Sequence, residues 1–226
     1  FTGGLLAPLG FEQGLKAILL GHLIGGLILI LGGYIGAQSK LPAIMSTRIS
    51  FGHYGSYLFS LLNVLQLIGW TAVMIISGGR AANELGVALF GFDSINTWAI
   101  AIGIFIGLWI WLGKVGFQKL NVVAVVLLFV LTLILCGVVF KEGNILLAAP
   151  TGEMSFGAAL ELSIIMPLSW LPLISDYTRF AKSRKSGLVG SFMGYFIGSS
   201  LMYAIGLAIA LYAKDASVGS MMMTLD

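Results

Sequence analysis

One face of the third apolar run of the sequence carries side chains that suit a flat, polar heterocyclic ring. The members of this face follow one another at steps of three or four residues: Asn63, Gln66, Trp70, Met74 and Ser77. Such spacing places them on one side of a helix. An indole can stack on a heteroaromatic ring, and an amide can hydrogen-bond to its edge. A lone polar group would only link two helices, at about 1 kcal/mol. We therefore predict that Gln66, Trp70 and Met74 bind substrate.

Two prolines interrupt the sixth apolar run, SFGAALELSIIMPLSWLPLISDYTRF. Pro167 and Pro172 stand five residues apart, and each removes a backbone N–H and crowds the carbonyl four residues earlier. The carbonyls of Ser163 and Leu168 should therefore lose their helical partners. Freed backbone at membrane depth is tolerated only where it is buried in protein or lines a cavity.

The residues between these prolines give the break a chemical character. Ser169 offers a hydroxyl and Trp170 a flat aromatic face. A proline kink packed by a tryptophan is the simpler alternative, but two prolines around Ser-Trp favour a broken helix at a binding site. We predict that Ser169 and Trp170 contact the substrate.

Charged groups lie on both sides of the break. Glu161 is an intramembrane carboxylate, which is costly and often functional, although a place at the outer interface would explain it equally. Asp176 and Arg179, three residues apart, could pair with each other or with Arg48 as an inner gate. An exposed salt bridge worth little is the other interpretation of that pair.

Neither metal ligation nor nucleophilic catalysis is indicated. His22 and His53 lie far apart without a metal-binding spacing, and Cys136 is the single cysteine. A proton-relay role for His22 is the less favoured of two interpretations, the other being a structural one. We assign no catalytic residue and no metal ligand, and we predict no cofactor apart from a coupling ion.

The composition requires that these groups be held inside a lipid bilayer. Hydrophobic residues make up 58% of the 226 residues and charged residues only 9%, with a mean hydropathy of +1.02. Soluble domains carry about 25% charged residues, so a soluble enzyme is excluded. The net charge of +3 forms no basic stripe, which argues against nucleic-acid binding.

The apolar runs predict an all-α integral membrane protein. A first run, 1–9, is too short to cross a bilayer, which takes about 20 residues, whereas six others are each long enough to cross. They span 15–37, 54–77, 97–113, 120–140, 156–178 and 188–213. We expect a single transmembrane domain over 1–226.

The distribution of basic residues predicts the orientation. Connectors 38–53, 113–121 and 179–187 contain eight of the twelve Lys and Arg residues and none of the acidic residues of the connectors. By the positive-inside rule these connectors are cytoplasmic. The protein should therefore be a multi-pass protein of the cell (plasma or inner) membrane.

A weak internal repeat relates the second and seventh runs. A shift of 173 residues aligns Gly14 with Gly187, Gly21 with Gly194 and Gly25 with Gly198. The two runs should cross the membrane in opposite directions, as in the inverted repeats of secondary transporters. We expect 1–140 to be the remainder of a first five-helix repeat and 155–226 the start of a second.

Two segments resemble a known family. LPAIMSTRISFGHYGSYL (41–58) is similar to the signature between the second and third helices of the nucleobase–cation symporters, the cytosine, purine, uracil and allantoin permeases. SDYTRFAKS (175–183) is similar to the motif that ends their sixth helix. Within the family, the chain looks most like the hydroxymethylpyrimidine transporters, which are linked to thiamine precursor salvage.

The resemblance implies a leucine-transporter-type inverted-repeat fold in which helices 1 and 6 are broken. The chain would be a fragment running from the second half of helix 1 through helix 7. It implies symport of a heterocycle by alternating access, driven by Na⁺ or H⁺. Cation ligands in the family come from the first half of helix 1 and from helix 8, so none is assigned.

The resemblance also bears on the site residues. Trp70 matches the helix 3 aromatic that stacks on the base, whereas Met74 stands where some members have a hydrogen-bonding Gln. Trp170 matches a helix 6 tryptophan only approximately, because Pro167 occupies the usual place. Met74 therefore argues against a simple transfer of hydantoin or cytosine specificity to this chain.

Our leading hypothesis is a cation-coupled symporter for hydroxymethylpyrimidine or a nucleobase such as cytosine. An intramembrane enzyme would use Glu161 or Asp176, but 15 residues separate them, about 22 Å along a helix, too far to cooperate. A passive channel is the third alternative, and the lack of charge rings disfavours it.

Overall fold

The computed structural model describes residues 2–111, 113–141 and 148–213, with backbone alone for 113–120, 138, 139 and 213. The described residues form eight helical segments and no strand, so the all-α prediction is confirmed for them. In order, these are a 3₁₀ helix Thr2–Leu9, α1 Gly10–Ser39, α2 Ala43–Phe90, α3 Ile95–Trp111, α4 Gly113–Lys141, α5 Phe156–Ser169, α6 Ile174–Thr178 and α7 Arg184–Ala213.

The short first run is a 3₁₀ helix, where the sequence suggested half of a transmembrane helix. The chain turns at Gly10, which has a φ of 73°, a value that favours glycine. A Cβ at Gly10 would also come within 2.8 Å of the carbonyl oxygen of Ala148. Both constraints require glycine where the 3₁₀ helix meets α1.

The glycines of α1 allow α5 and α6 to approach its backbone. A Cβ at Gly21 would overlap Ser163 of α5, and one at Gly25 would overlap the Pro167 ring. Further along, Gly36 lies against the backbone of Ser175 in α6. Close contact through small residues replaces the hydrophobic driving force that lipid cannot supply. This glycine series of α1 therefore serves close packing of α5 and α6.

A second glycine series on α7 behaves differently. An added Cβ at Gly190, Gly194 or Gly198 would meet no described atom within 4 Å. This glycine face therefore makes no close helix contact within the described ranges.

A buried apolar cluster joins the 3₁₀ helix, α1 and α7. Leu6, Ile18 and Leu207 contribute one fully buried side chain from each of these elements. Between helices in lipid, such contacts stabilise through dispersion and shape rather than through removal of water. This cluster makes the 3₁₀ helix part of the same bundle as α1, α5, α6 and α7.

A sharp bend divides α2. Gly52 has φ 70° and ψ −178°, outside the helical region, so residues 43–51 form a short helix at an angle to the long remainder. This combination of angles is essentially restricted to glycine. The long remainder of α2 pairs with α3 and contacts α1 and α6 only sparsely.

Polar bonds fix the turn between α2 and α3. The Asn83 Nδ2 group donates to Asp93 Oδ1 over 2.8 Å, and Asn83 Oδ1 accepts from the Ser94 backbone N–H over 2.7 Å. Together these bonds satisfy both ends of a buried amide. α2 and α3 therefore form a second unit that contacts the bundle over a small area.

Three helical stretches among the described residues are long and apolar enough to cross a membrane, namely Thr2–Ser39, Ala43–Phe90 and Arg184–Tyr212. The other apolar helices, Ile95–Trp111, Asn121–Gly137 and Phe156–Ser169, are shorter. Many large apolar side chains of α2, α3 and α4 are exposed. A lipid environment explains such a surface.

Hydrogen bonds between connectors agree with the two groups of connectors that the distribution of basic residues predicts. Lys40 Nζ, after α1, donates to the Ala181 carbonyl, after α6, over 2.9 Å. At the opposite end the Phe11 N–H donates to Ala148 O over 3.3 Å. Connectors 38–53 and 179–187 therefore lie on one side. The division into inverted repeats stays a prediction, although α1 and α7 each span 30 residues.

Candidate functional site

The sixth apolar run is broken where its prolines stand. α5 ends at Ser169, α6 begins at Ile174, and the residues between form turns. In these turns the Leu171 N–H donates to Leu168 O over 3.0 Å, and the Leu173 N–H to Trp170 O over 2.9 Å. Hydrogen bonds between residues three positions apart thus largely replace the helical pattern, in which the partners are four positions apart.

A side chain of α2 reaches into this break. Gln66 Nε2 donates to the backbone carbonyl oxygen of Ser169 over 2.8 Å, a contact between positions 103 residues apart in sequence. The sequence pointed to Leu168 as the freed carbonyl, but Leu168 O accepts from the Leu171 N–H instead. The polar face of α2 and the helix break therefore lie together.

The two prolines have different surroundings. Pro167 is fully buried and its ring lies against Gly25 of α1. Pro172 lies on the wall of a cavity between α1, α2 and the break. Pro167 therefore packs α5 against α1, while Pro172 forms part of the cavity wall beside α6.

This cavity has a volume of about 460 Å³, within the usual range for small-molecule sites. Its walls are the second half of α1, both parts of α2 and the start of α6, and they are mostly apolar. The polar groups on them are Ser46, Thr47, Asn63, Gln66 and Ser175. We call this space the inner cavity.

Trp70, Met74 and Trp170 are not among the described residues that line the inner cavity. Trp70 is partly exposed and lies four residues beyond Gln66. Met74 and Trp170 are 59% and 41% exposed, and the Trp170 ring packs at 6.4 Å from Tyr177. The structure brings Gln66 to the break, whereas both tryptophans present open surfaces.

The hydroxyl of Ser169 is used within its own helix. Ser169 Oγ donates to Met166 O over 2.7 Å, so its hydrogen is committed. The polar atom that Ser169 offers to another element is its carbonyl oxygen, which Gln66 occupies.

The two predicted gate residues contact each other through the backbone. Arg179 Nε donates to the carbonyl oxygen of Asp176 over 3.3 Å, and the guanidinium lies 4.5 Å from the Phe180 ring centroid. Within the described ranges the ion pair found is Lys16 with Glu12. The gate role of Asp176 and Arg179 stays a prediction.

Two hydroxyls that we had not singled out fasten α6 to α1. Ser175 Oγ donates to Gly32 O over 2.9 Å, and Thr178 Oγ1 donates to Gly33 O over 2.7 Å. Both side chains are buried. The sequence did carry a signal for this contact. The two hydroxyl residues stand three positions apart, and their partners are adjacent glycines.

His22 joins α1 to α7 and lies apart from the break. Its Nδ1 donates to Ile18 O over 2.9 Å, and its Nε2 accepts from Ser199 Oγ over 2.8 Å. The Tyr203 ring meets it edge-on at 4.7 Å. A fully buried imidazole with both nitrogens bonded acts as a structural link between these helices.

The remaining acidic candidate is peripheral. Glu161 lies on the second turn of α5 and is exposed. The N-terminus of this helix is capped by Ser155 Oγ, which accepts from the Ala158 N–H over 3.1 Å. No group of three or more His, Cys, Asp or Glu side chains able to hold a metal occurs within the described residues.

Comparison with known proteins agrees with this architecture. The chain is 30% identical to the cytosine permease of Escherichia coli strain K12 over 99% of its own length and 53% of that protein's. It is 23% identical to the purine-cytosine permease fcyB of Emericella nidulans, over 92% of this chain and 41% of the relative. The chain thus spans about half the length of the curated relatives it matches.

A solved structure shows the same fold. The transporter MHP1, described as a nucleobase-cation-symport-1 family member in a closed conformation with bromovinylhydantoin bound, superposes with a TM-score of 0.79. Identity is 18%, and the match covers 99% of this chain and 54% of that one. The predicted transporter fold is therefore confirmed.

The model of one family matches the chain from end to end, at residues 1–226. That family is described as permeases for cytosine/purines, uracil, thiamine and allantoin, and the relatives above are permeases and a transporter rather than enzymes. The chain therefore belongs to this permease family.

Proposed function

We propose that the protein is a secondary active transporter that takes up a pyrimidine-like heterocycle by cation-coupled symport. The observation that carries this proposal is the hydrogen bond from Gln66 Nε2 to the Ser169 carbonyl at the helix break. A broken helix exposes backbone acceptors at membrane depth, and transporter sites form at such breaks. Family membership supports the same conclusion.

The proposed substrate is hydroxymethylpyrimidine or a nucleobase such as cytosine. The ring would lie between Trp70 and Trp170, with Met74, Gln66 and the Ser169 backbone at its edges. Both indoles expose surface for stacking, and Trp170 directly follows the carbonyl that Gln66 binds. The matched cytosine permease supports an aminopyrimidine.

Transport would proceed by alternating access in the cell membrane. The bundle of the 3₁₀ helix, α1, α5, α6 and α7 would rock against the α2–α3 unit, because the two contact each other sparsely. Na⁺ or H⁺ would drive the cycle. Asp176 and Arg179 would close the cytoplasmic side, and the halves 1–140 and 155–226 would belong to two inverted repeats.

Uptake of labelled cytosine and hydroxymethylpyrimidine tests the proposal. The protein is expressed from its complete reading frame in cells that lack their own pyrimidine permeases. Trp70→Ala should lower uptake about tenfold or more, because stacking on an aromatic ring contributes about 1–3 kcal/mol per base. Gln66→Leu should lower it as well, since it removes the bond to Ser169.

Trp111→Ala is the matched control, because Trp111 is 83% exposed at the end of α3, far along the chain from the break. Its uptake should stay at the level of the unchanged protein. Replacing Na⁺ by choline, or adding a protonophore, identifies the coupling ion. Ion currents without substrate would instead establish a channel, and normal uptake by Trp70→Ala would exclude the stacking model.

A further inference from the structure

The hydroxyl groups on the walls of the inner cavity are all of one kind. Ser46 Oγ donates to Ala43 O and Thr47 Oγ1 to Ile44 O, each over 2.6 Å. On the opposite wall Ser175 Oγ donates to Gly32 O over 2.9 Å. Each hydroxyl hydrogen is therefore already used, and these side chains can offer only oxygen lone pairs to a ligand.

Asn63 adds an acceptor that has no partner. Its Oδ1 atom is buried and accepts no hydrogen bond within the described part of the chain, although the residue lines the inner cavity. An unsatisfied buried acceptor costs about 1–3 kcal/mol. A donor group from a ligand would recover that cost.

The apolar walls and the size indicate the shape of the ligand. Phe59 and Pro172 present flat surfaces on two different elements. A cation would need several oxygens closely around it, whereas a cavity of about 460 Å³ with few polar groups suits a small ring. The hydroxyl oxygens and Asn63 Oδ1 can accept from an amino substituent at the ring edge, while the amide N–H groups of Asn63 and Gln66 can donate to a ring nitrogen or carbonyl.

The inner cavity lies on the side of connector 38–53, because Ser46 and Thr47 belong to the short helix before Gly52. The basic residues place that connector in the cytoplasm. The lining residues also reach Gln66 and Pro172, so the cavity extends to the helix break.

We propose that the inner cavity is a second binding site, on the cytoplasmic side of the helix break, which holds an amino-substituted planar heterocycle as it leaves the transporter. This inference rests on the proposed function and adds to it a release site and a selectivity. Asn63 and Thr47 select rings that present an exocyclic amino group.

Competition at the cytoplasmic face tests this site. Inside-out vesicles are prepared from cells that express the complete reading frame, and transport of a labelled pyrimidine is inhibited with cytosine or uracil. Cytosine carries an amino donor where uracil carries a carbonyl acceptor. Cytosine should therefore inhibit at a lower concentration than uracil.

Asn63→Leu should reduce this cytosine-over-uracil preference by about tenfold, the value of one hydrogen bond near 1.4 kcal/mol. Thr47→Val should act in the same direction from the opposite wall. The Thr47→Val variant provides an independent test if the Asn63→Leu protein is not expressed in folded form. Ser60→Ala is the control, since Ser60 Oγ bonds to Ser56 O in the same helix and does not line the inner cavity. The preference is a ratio and so does not depend on the amount of protein.

The possible outcomes separate the two proposals. An unchanged preference in both variants, or an equal loss for both rings, overturns the second site and leaves the transporter in place. A changed Na⁺ or H⁺ dependence with unchanged ring preference would assign the cavity to the coupling ion, also against this inference. If the unchanged protein transports no heterocycle, the proposed function fails and the second site with it.

Discussion

The hydroxyls of Ser175 and Thr178 show how single side chains fix the short helix next to the break. α6 has only five residues, too few to be stable as an isolated helix. Its two bonds to Gly32 O and Gly33 O hold it on α1. The position of the helix break thus depends on hydroxyls outside the break itself.

Thr178→Val should lower the stability of the detergent-solubilised protein by about 1 kcal/mol, because it removes one buried interhelical hydrogen bond. The apparent melting temperature, followed by thermal unfolding, measures the loss. Val keeps the branched shape, so packing changes little. Since Thr178 lies 3% exposed against Gly33, no solvent can replace the bond.

Thr132→Val provides the comparison for that measurement. Thr132 is partly exposed on α4, and its hydroxyl donates to Leu128 O within the same helix over 2.7 Å. Its replacement should change the melting temperature far less. Equal shifts in both variants would contradict the role assigned to Thr178.

At the scale of elements, the bend in α2 places one wall of the inner cavity. The short helix that begins at Ala43 takes its direction from the Gly52 angles. An added Cβ at Gly52 would meet no atom within 4 Å, so only the backbone conformation requires glycine there. Changing this residue therefore isolates backbone strain from steric overlap.

Gly52→Ala should cost of order 1–3 kcal/mol, the penalty for a side chain in this backbone region, or should straighten the bend. The melting temperature in detergent should fall, and transport from the cytoplasmic face should weaken because Ser46 and Thr47 shift. Gly69→Ala is the control, since Gly69 is helical and an added Cβ there also meets open space. A stable and fully active Gly52→Ala protein would refute the importance of the bend.

Local rules in the sequence predict part of the site, and the other part depends on contacts between distant segments. Pro167 and Pro172 indicate the broken helix because each removes a defined backbone bond. The partner of the Ser169 carbonyl at that break, Gln66, lies 103 residues away. Helical periodicity places Gln66 on the face of Trp70 but cannot say which neighbour that face meets. The inner cavity arises only from packing, since residues of α1, α2, α6 and the helix break line it.

At the scale of the whole molecule, two sets of connectors face opposite ends of the bundle. Lys40 binds Ala181 O at one end, and Phe11 binds Ala148 O at the other. The basic residues concentrate at the first end. By the positive-inside rule we expect that end to face the cytoplasm, and the inner cavity is lined in part by Ser46 and Thr47 from the same side.

Labelling of introduced cysteines checks this orientation. Ser50→Cys and Thr151→Cys place exposed thiols in the two sets of connectors, against a background in which the native Cys136 is replaced by Ala. A membrane-impermeant maleimide should label Thr151→Cys in whole cells. It should label Ser50→Cys only in inside-out vesicles, because the bilayer separates reagent and thiol. The reverse pattern would invert the molecule and put the inner cavity on the entry side, where it would bind the heterocycle before the helix break does.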